Sequence, residues 1–204
     1  MRRFALIASL LAIALLPATV LAHAPSVTES QAGSPEEAIV LDDPTLSRAI
    51  GATLDRPGEI DWYRMDLSAG DPLVVGMTAP NATGAVAATF TLLGPGLPDA
   101  AAAGPDAARL AEAAGVAGAL AFEPVADPPL EIHGGLGFIN LGTMRLEAPA
   151  DGSYFVAVQA LDSEATGKYV FAPGVREEFG ADAIGGMRDL VAFFEAPWEP
   201  EAES

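Results

Sequence analysis

Four acidic residues near predicted strand ends are the first candidates for a metal-binding site in this sequence. Asp42, Asp43, Glu59 and Asp61 fall at turns and strand ends that a folded β-domain can bring together. Calcium takes six to eight oxygen ligands, several of them carboxylates, from flexible loops. We therefore consider these four acids a candidate calcium site. The alternative is that they form hydrogen bonds within turns, as Asp favours, and that Asp61 lies on the solvent face of its strand.

The two histidines suggest a second metal chemistry. If a signal peptide is removed before His23, the α-amino group and imidazole of that residue form a bidentate pair that suits copper, with His133 as a further ligand. His133 also begins a His-Gly-Gly run that resembles an oxyanion loop. A serine hydrolase needs a nucleophile beside a base, and the sequence has no Gly-x-Ser-x-Gly motif. We therefore predict no catalytic residues and no enzyme activity.

Charge and cysteine content restrict the class of partner. The formal net charge is -18, which disfavours binding to nucleic acids and to anionic membrane surfaces and favours cations as small partners. The alternative is that the charge keeps the domain soluble. There is no cysteine, so the domain must be stable without disulfides and the chain cannot carry a lipid on a cysteine.

The first residues have the pattern of a secretory signal peptide. Two arginines precede an apolar run over residues 4–21, and small residues follow. We predict a signal peptide at residues 1–22 and a mature chain that begins at His23, is periplasmic or extracellular, and keeps no stable membrane insertion. Residues 23–37 contain Ser, Pro and Glu without periodicity and predict a flexible leader.

Residues 61–77 predict the hairpin around which the domain is built. Tyr63, Met65 and Leu67 alternate with polar or large residues, a Gly- and Pro-containing turn follows, and the alternation resumes from Leu73. The same period recurs along the chain and predicts a β-sandwich domain over residues 38–174. The predicted core consists of Tyr63, Met65, Leu67, Leu73, Val75, Phe90, Tyr154, Val156, Val158, Tyr169 and Phe171.

Three segments depart from the strand pattern. Residues 97–129 are rich in alanine and predict an insertion, with a short helix over 105–114. Residues 131–140 are rich in glycine and predict a loop. Residues 175–204 predict an amphipathic helix and an acidic tail, because apolar residues recur there at three- and four-residue spacing. That helix either lies on the sandwich or contacts a partner.

Many short strands joined by Gly- and Pro-rich turns indicate an all-β protein. We predict an antiparallel β-sandwich of the jelly-roll type, with the alanine-rich insertion and the C-terminal helix added to it.

Three segments carry a resemblance to a known family. Residues 58–71 (GEIDWYRMDLSAGD) resemble the early hairpin of bacterial pre-peptidase C-terminal domains, residues 150–158 (ADGSYFVAV) resemble a late strand, and residues 163–170 (SEATGKYV) resemble the closing strand. The resemblance implies a secreted jelly-roll-like accessory module that binds and does not catalyse, in a family whose related modules hold calcium. The resemblance would place such a module beside a peptidase, which we do not expect in this chain, and the insertion and C-terminal helix lie outside the family pattern.

The function predicted from the sequence is that of a secreted, non-catalytic binding or structural module with a protein or glycan partner. The alternative is a metal-binding protein of the cell envelope that uses calcium or copper.

Overall fold

The structure is a computed structural model that describes residues 24–28, 32–133, 135–178 and 181–198, with the backbone alone over 181–184. Two β-sheets enclose the main hydrophobic core. The predicted signal peptide and the predicted copper ligand His23 lie outside the described residues.

The order of the strands in each sheet is as follows. Sheet A contains β1 (Ala24–Val27), β3 (Arg48–Leu54), β11 (Gly167–Pro173), β5 (Pro72–Pro80), β9 (Leu136–Glu147) and β8 (Leu130–His133). Sheet B contains β2 (Ile39–Val40), β4 (Ile60–Leu67), β10 (Gly152–Ala160), β6 (Ala88–Asp99) and β7 (Gly118–Ala121). The α-helices are α1 (Pro105–Ala113) and α2 (Ala181–Glu195), and 3-10 turns lie at Pro35–Glu37 and Ala100–Ala103.

The pairing of the strands is that of a jelly roll. The chain folds as a long antiparallel ribbon in which β3 pairs with β11, β4 with β10, β5 with β9 and β6 with β7. The ribbon then wraps so that β11 meets β5 in sheet A and β10 meets β6 in sheet B. The predicted jelly-roll sandwich is therefore confirmed. The short strands β1 and β2 add to the sheets in parallel, at β3 and β4.

The main core lies between the two sheets. Every residue of the predicted core is buried, because the period-two alternation places these side chains on the inner faces of their strands. Tyr63 stacks on Phe171 with ring centroids 4.2 Å apart, and Phe90 stacks on Phe122 at 4.4 Å. Aromatic contacts between strands distant in sequence thus stabilise the interior.

The alanine-rich insertion builds a second core on the outer face of sheet B. Trp62 points away from the main core, as the alternation predicts, yet it is only 2% exposed. It packs with Leu93 and Leu110 under α1, in a cluster completed by small alanine side chains. The alanines let the helix approach the sheet closely. The insertion therefore covers an apolar face that would otherwise meet water.

The predicted flexible leader over residues 23–37 differs from what the structure describes. Residues 24–27 form the edge strand β1, and Ala32 is 1% exposed in the cluster beneath α1. The predicted loop over residues 131–140 is also corrected, because β8 pairs with β9 there as a hairpin. In both cases tertiary partners supply the ordering that the local sequence lacks.

Helix α2 lies on the outer face of sheet A. Leu190 and Phe194 are buried against the sheet, and the Phe194 ring meets Phe138 of the β8–β9 hairpin edge-on, 5.8 Å between centroids. Gly51 permits this close approach, since a Cβ there would lie 2.7 Å from the Leu190 Cδ1. The helix therefore covers part of the sheet as a docked element. None of the described helices is long and apolar enough to span a membrane.

Lys168, the single lysine of the chain, holds the end of α2. Its Nζ donates hydrogen bonds to the carbonyl oxygens of Phe193 and Ala196, both at 2.6 Å, and lies 5.0 Å from the centroid of the Phe193 ring. Burial lowers the pKa of Lys168. A cation is favourable here because the carbonyls at a helix C-terminus lack partners within the helix and carry partial negative charge.

Lys168→Met is expected to lower the free energy of unfolding by about 2 kcal/mol, since charged hydrogen bonds to the helix end are lost while the aliphatic stem is kept. Urea denaturation measures this loss, and hydrogen exchange shows whether the amides of α2 open first. Arg188→Met, at an exposed position of the same helix, is the control and should change stability by less than about 0.5 kcal/mol. Equal effects of the two variants would contradict the capping role.

Candidate functional site

A groove on the outer face of sheet A is a large concave feature of the described residues. Its floor consists of outward-facing positions on β3, β5 and β11, and these positions carry small side chains: Ala49, Val74, Gly76 and Ala172. Gly76 lies opposite Ala172 in the register of β5 and β11. Small residues in neighbouring strands lower the surface there, and the sheet forms a depression. We call this feature the sheet A groove.

The walls of the sheet A groove come from two elements distant in sequence. Met187 and Leu190 of α2 form one wall, and Ile132 and Phe138 of the β8–β9 hairpin form the opposite one. The ring contact between Phe138 and Phe194 joins the two walls at one end. The groove therefore exists only because the helix and the hairpin both rise above the sheet.

Polar groups cluster at the hairpin end of the groove. The carboxylate of Glu131 accepts a hydrogen bond from Asn140 Nδ2 at 2.9 Å and lies 3.0 Å from His133 Nε2. The Asn140 Oδ1 in turn accepts from the backbone N–H of Gly142 at 3.0 Å. Gly142 follows the register shift between β5 and β9, so the irregularity of the ladder is stabilised by this side chain. Asn140 and His133 thus both contact the Glu131 carboxylate.

The other end of the groove carries a cation. Arg145 on β9 faces outward opposite Val74 and is exposed. No acidic side chain among the described residues lies within ion-pair distance of it, whereas Arg56, Arg64, Arg109 and Arg176 each have a carboxylate within 4.0 Å. Arg145 therefore offers guanidinium donors to the groove that no carboxylate of the described residues occupies.

The volume and lining of the groove suit a small ligand. The cavity measures about 620 Å³, within the range of about 300 to 1,000 Å³ that is usual for ligand pockets. An apolar floor with a few polar groups at its ends is also typical of such pockets. The arrangement favours binding of an apolar body with a polar end.

Within the described residues, the four predicted calcium ligands form no group that could hold a metal ion. Asp43 accepts hydrogen bonds from Thr45 and pairs with Arg176 at 2.5 Å, and hydrogen bonding to Thr45 is the main cause of its lowered pKa. Glu59 accepts from the backbone N–H groups of Asp55 and Arg56, at 2.6 and 2.9 Å. Asp42 is exposed. The turn interpretation therefore accounts for the observed contacts of Asp43 and Glu59.

Asp61 is also not on the solvent face, which corrects the second part of that interpretation. It shares the inner face of β4 with Tyr63, two residues along, and is 2% exposed. Its Oδ2 accepts a hydrogen bond from Tyr169 Oη at 2.6 Å, and Tyr169 Oη lies 2.9 Å from Tyr63 Oη. Burial, opposed by this hydrogen bond and assisted by Glu59 and Asp55, raises the pKa of Asp61 to about 7.

Metal binding itself, by calcium or by copper, is not tested by the structure. His133 lies on the groove rim beside Glu131, and His23 is outside the described residues. Within the described ranges, no group of three histidine, aspartate or glutamate side chains is placed to hold a metal ion. Calcium and copper binding by this chain stay predictions.

Sequence reasoning did not find the sheet A groove. The alternation over residues 143–147 does predict that Arg145 points away from the core. The floor gives no comparable signal, because Gly76, Ala172 and Ala49 lie in three separate strands and become neighbours only through the jelly-roll order. The predicted loop over residues 131–140 also concealed the hairpin wall.

Comparisons with known proteins assign no family to the chain. No protein-family model matches it, and no curated protein matches it. A solved structure with some similarity is PliG from Aeromonas hydrophila, a periplasmic lysozyme inhibitor of g-type lysozyme; the similarity covers 74% of this chain and 98% of that chain, with 14% sequence identity and a TM-score of 0.41. At this level of likeness we transfer neither family nor activity from that protein.

Proposed function

We propose that this chain is an exported, non-catalytic β-sandwich module that binds a small apolar ligand in the sheet A groove. The observation that carries the proposal is the 620 Å³ depression on the outer face of a sheet whose inner face already has a complete core. The groove is therefore not needed for packing of the main core.

The identity of the floor residues supports the proposal. Glycine in a strand interior weakens the strand, because it has high conformational freedom when unfolded and no side chain to pack. Gly76 nevertheless occupies the centre of β5, where its inward-facing neighbours Val75 and Met77 are fully buried. A Cβ there would lie 3.1 Å from the Thr143 Oγ1 and 3.3 Å from the Ala172 carbonyl oxygen, so the neighbouring strands leave little room for a larger side chain. Glycine at this position therefore keeps the floor of the groove low between β9 and β11.

The export and family parts of the proposal rest on the sequence. The signal-peptide pattern at residues 1–22 supports export, and the resemblance to pre-peptidase C-terminal domains supports a binding role in place of catalysis. The protein or glycan partner and the alternative of a metal-binding envelope protein stay predictions. We favour the groove because it is a formed cavity with a defined lining.

Ala172→Leu tests the groove directly. The leucine side chain would extend outward over Gly76 and fill the floor, so we expect the purified protein to bind the uncharged dye N-phenyl-1-naphthylamine about tenfold more weakly or worse than the unchanged chain. Dye fluorescence measures binding. The fold should be retained, because position 172 faces outward and is only half-buried.

Ala121→Leu is the matched control for this experiment. Ala121 is an exposed alanine in a strand of sheet B, away from the groove. We expect this variant to bind the dye as the unchanged protein does and to show the same thermal midpoint as Ala172→Leu. Undiminished dye binding by a folded Ala172→Leu variant would reject the groove as the binding site.

A further inference from the structure

We infer that the ligand of the sheet A groove is an apolar small molecule that ends in a carboxylate, and that Arg145 binds this carboxylate. The inference rests on the proposed function, since it concerns the chemistry of the same groove. Its geometric basis is the position of a free guanidinium at one end of an apolar floor.

The positive charge of Arg145, at one end of the groove, supports an anionic group on the ligand. The protein is strongly acidic, and four of its seven described arginines have a carboxylate within 4.0 Å. Arg145 has no such partner among the described residues, although Glu147 follows two residues along on the same strand. A guanidinium presents a planar fork that matches a carboxylate and forms two parallel hydrogen bonds with it. The open side of this fork is where we place the ligand carboxylate.

The opposite end of the groove orients the ligand. The carboxylate of Glu131 lies there, engaged by Asn140 and His133, and would repel a second anion. Asn140 and Arg145 lie opposite Thr78 and Val74 of β5, which are four residues apart, so about 13 Å separates them at about 3.3 Å per residue. The anionic end of the ligand therefore lies at Arg145, and its apolar body extends over Gly76 and Ala172.

The number of basic side chains that line the groove and the volume of the groove indicate the charge and the size of the ligand. A phosphate group carries close to two negative charges and is typically held by several donors. Arg145 is the one lysine or arginine that lines the described groove, and it faces the field of an acidic protein. A single negative charge is the better match. The cavity of about 620 Å³ has the size of a small-molecule pocket.

The experiment compares a fluorescent acid with its neutral ester. The probes are 11-(dansylamino)undecanoic acid and its methyl ester, titrated against the purified chain and against Arg145→Gln, with dansyl fluorescence as the readout. We expect the unchanged protein to bind the acid about 10- to 100-fold more tightly than the ester, because charged hydrogen bonds form only with the acid. Arg145→Gln should remove this preference and leave the affinity for the ester unchanged.

Two further variants make the outcomes separable. Arg188→Gln removes an exposed arginine of α2 that does not line the groove, so it should keep the preference for the acid. Arg145→Lys keeps the charge without the fork and should recover part of the preference. If Arg188→Gln loses the preference for the acid as fully as Arg145→Gln does, the effect comes from the net charge of the protein and the inference is overturned.

The inference and the proposed function fail in different ways. One outcome is that the unchanged protein binds acid and ester equally and that Ala172→Leu weakens both. This would overturn the inference that Arg145 binds a ligand carboxylate, and the groove would remain the binding site. Binding of both probes that is undiminished in Ala172→Leu would reject the proposed function itself. A leucyl-leucine dipeptide with a free C-terminus that competes with the acid while decanoate does not would assign the groove to polypeptide ends and overturn the small-molecule class.

Discussion

Tyr154→Ala is expected to lower the free energy of unfolding by about 3 to 5 kcal/mol, which is the usual cost of removing a large buried aromatic side chain. Tyr154 is the third residue of β10 and is fully buried. Its ring covers Gly94 of β6 so closely that any Cβ at position 94 would collide with it. The substitution would therefore leave a cavity that the neighbouring strand is too rigid to fill.

The hydroxyl of Tyr154 adds to this cost. It lies 2.9 and 2.8 Å from the carbonyl oxygens of Pro95 and Ala150 and accepts a hydrogen bond from the Ala150 N–H at 3.2 Å. These contacts join the β9–β10 turn to the end of β6. Tyr154→Phe keeps the ring and leaves these groups without a partner, so it should cost about 1 to 3 kcal/mol.

Chemical denaturation of both variants tests this account. The loss in Tyr154→Ala should exceed the loss in Tyr154→Phe, because the cavity term adds to the hydrogen-bond term. A loss below about 1 kcal/mol in Tyr154→Ala would contradict the burial of this residue and the strand register that places it there.

The core could be predicted because burial and strand geometry act on neighbouring residues. Tyr154, Val156 and Val158 alternate with residues of the opposite face, and the same rule places Tyr63 and Met65 inside. Gly- and Pro-rich turns between such strands then favour a sandwich over other classes. The local sequence shows which side chains face the core because side chains alternate between the two faces of a strand with a period of two residues.

At Asp61 the prediction of a solvent-facing side chain is wrong. Its position, two residues before Tyr63, places it on the inner face, but its charge suggested the solvent face. The tyrosines at positions 63 and 169, one of which donates to the carboxylate, come from different sheets. A partner from another sheet leaves no trace in the local pattern. The burial of Asp61 can therefore be predicted from the strand periodicity, but its hydrogen bond with Tyr169 cannot.

The groove and the edge strand β1 depend on contacts between residues that are far apart in the sequence. β1 is a short strand that pairs with β3 and lies beneath α2, where Gly186 allows the helix to pass close to Pro25. The helix comes from the far end of the sequence. Contacts of this kind are set by the jelly-roll order and by small residues at crossing points, so the sequence read in short windows predicts neither the strand nor the groove that the helix borders.

Stability is expected to fall as the pH rises toward neutrality because of Asp61. Burial is the main cause of its raised pKa, and its Oδ1 has no hydrogen-bond partner within the described part of the chain. The ionised form is therefore poorly compensated in the folded protein. An exposed carboxyl in the unfolded chain has the ordinary pKa of 3.8, and the folded value is about 7.

The sign of the effect follows from these two values. Below pH 3.8 the carboxyl is protonated in both states, and its contribution to stability is fully present. Between pH 3.8 and about 7 the unfolded chain releases the proton while the folded chain keeps it, so stability falls by about 1.4 kcal/mol per pH unit. Above about pH 7 the loss is complete and amounts to roughly 4 kcal/mol.

Asp61→Asn isolates this contribution from those of the other acids. The amide oxygen can still accept from Tyr169, but the side chain no longer ionises. We expect the free energy of unfolding of the variant, measured in urea from pH 4 to pH 8, to exceed that of the unchanged protein at pH 8 and to lose this advantage toward pH 4. Tyr169→Phe removes the hydrogen bond that lowers the pKa and should move the transition to higher pH. Parallel pH profiles of the unchanged protein and Asp61→Asn would show that the carboxyl titrates alike in both states, and the buried Asp61 would then have to be compensated by a group that the structure does not place beside it.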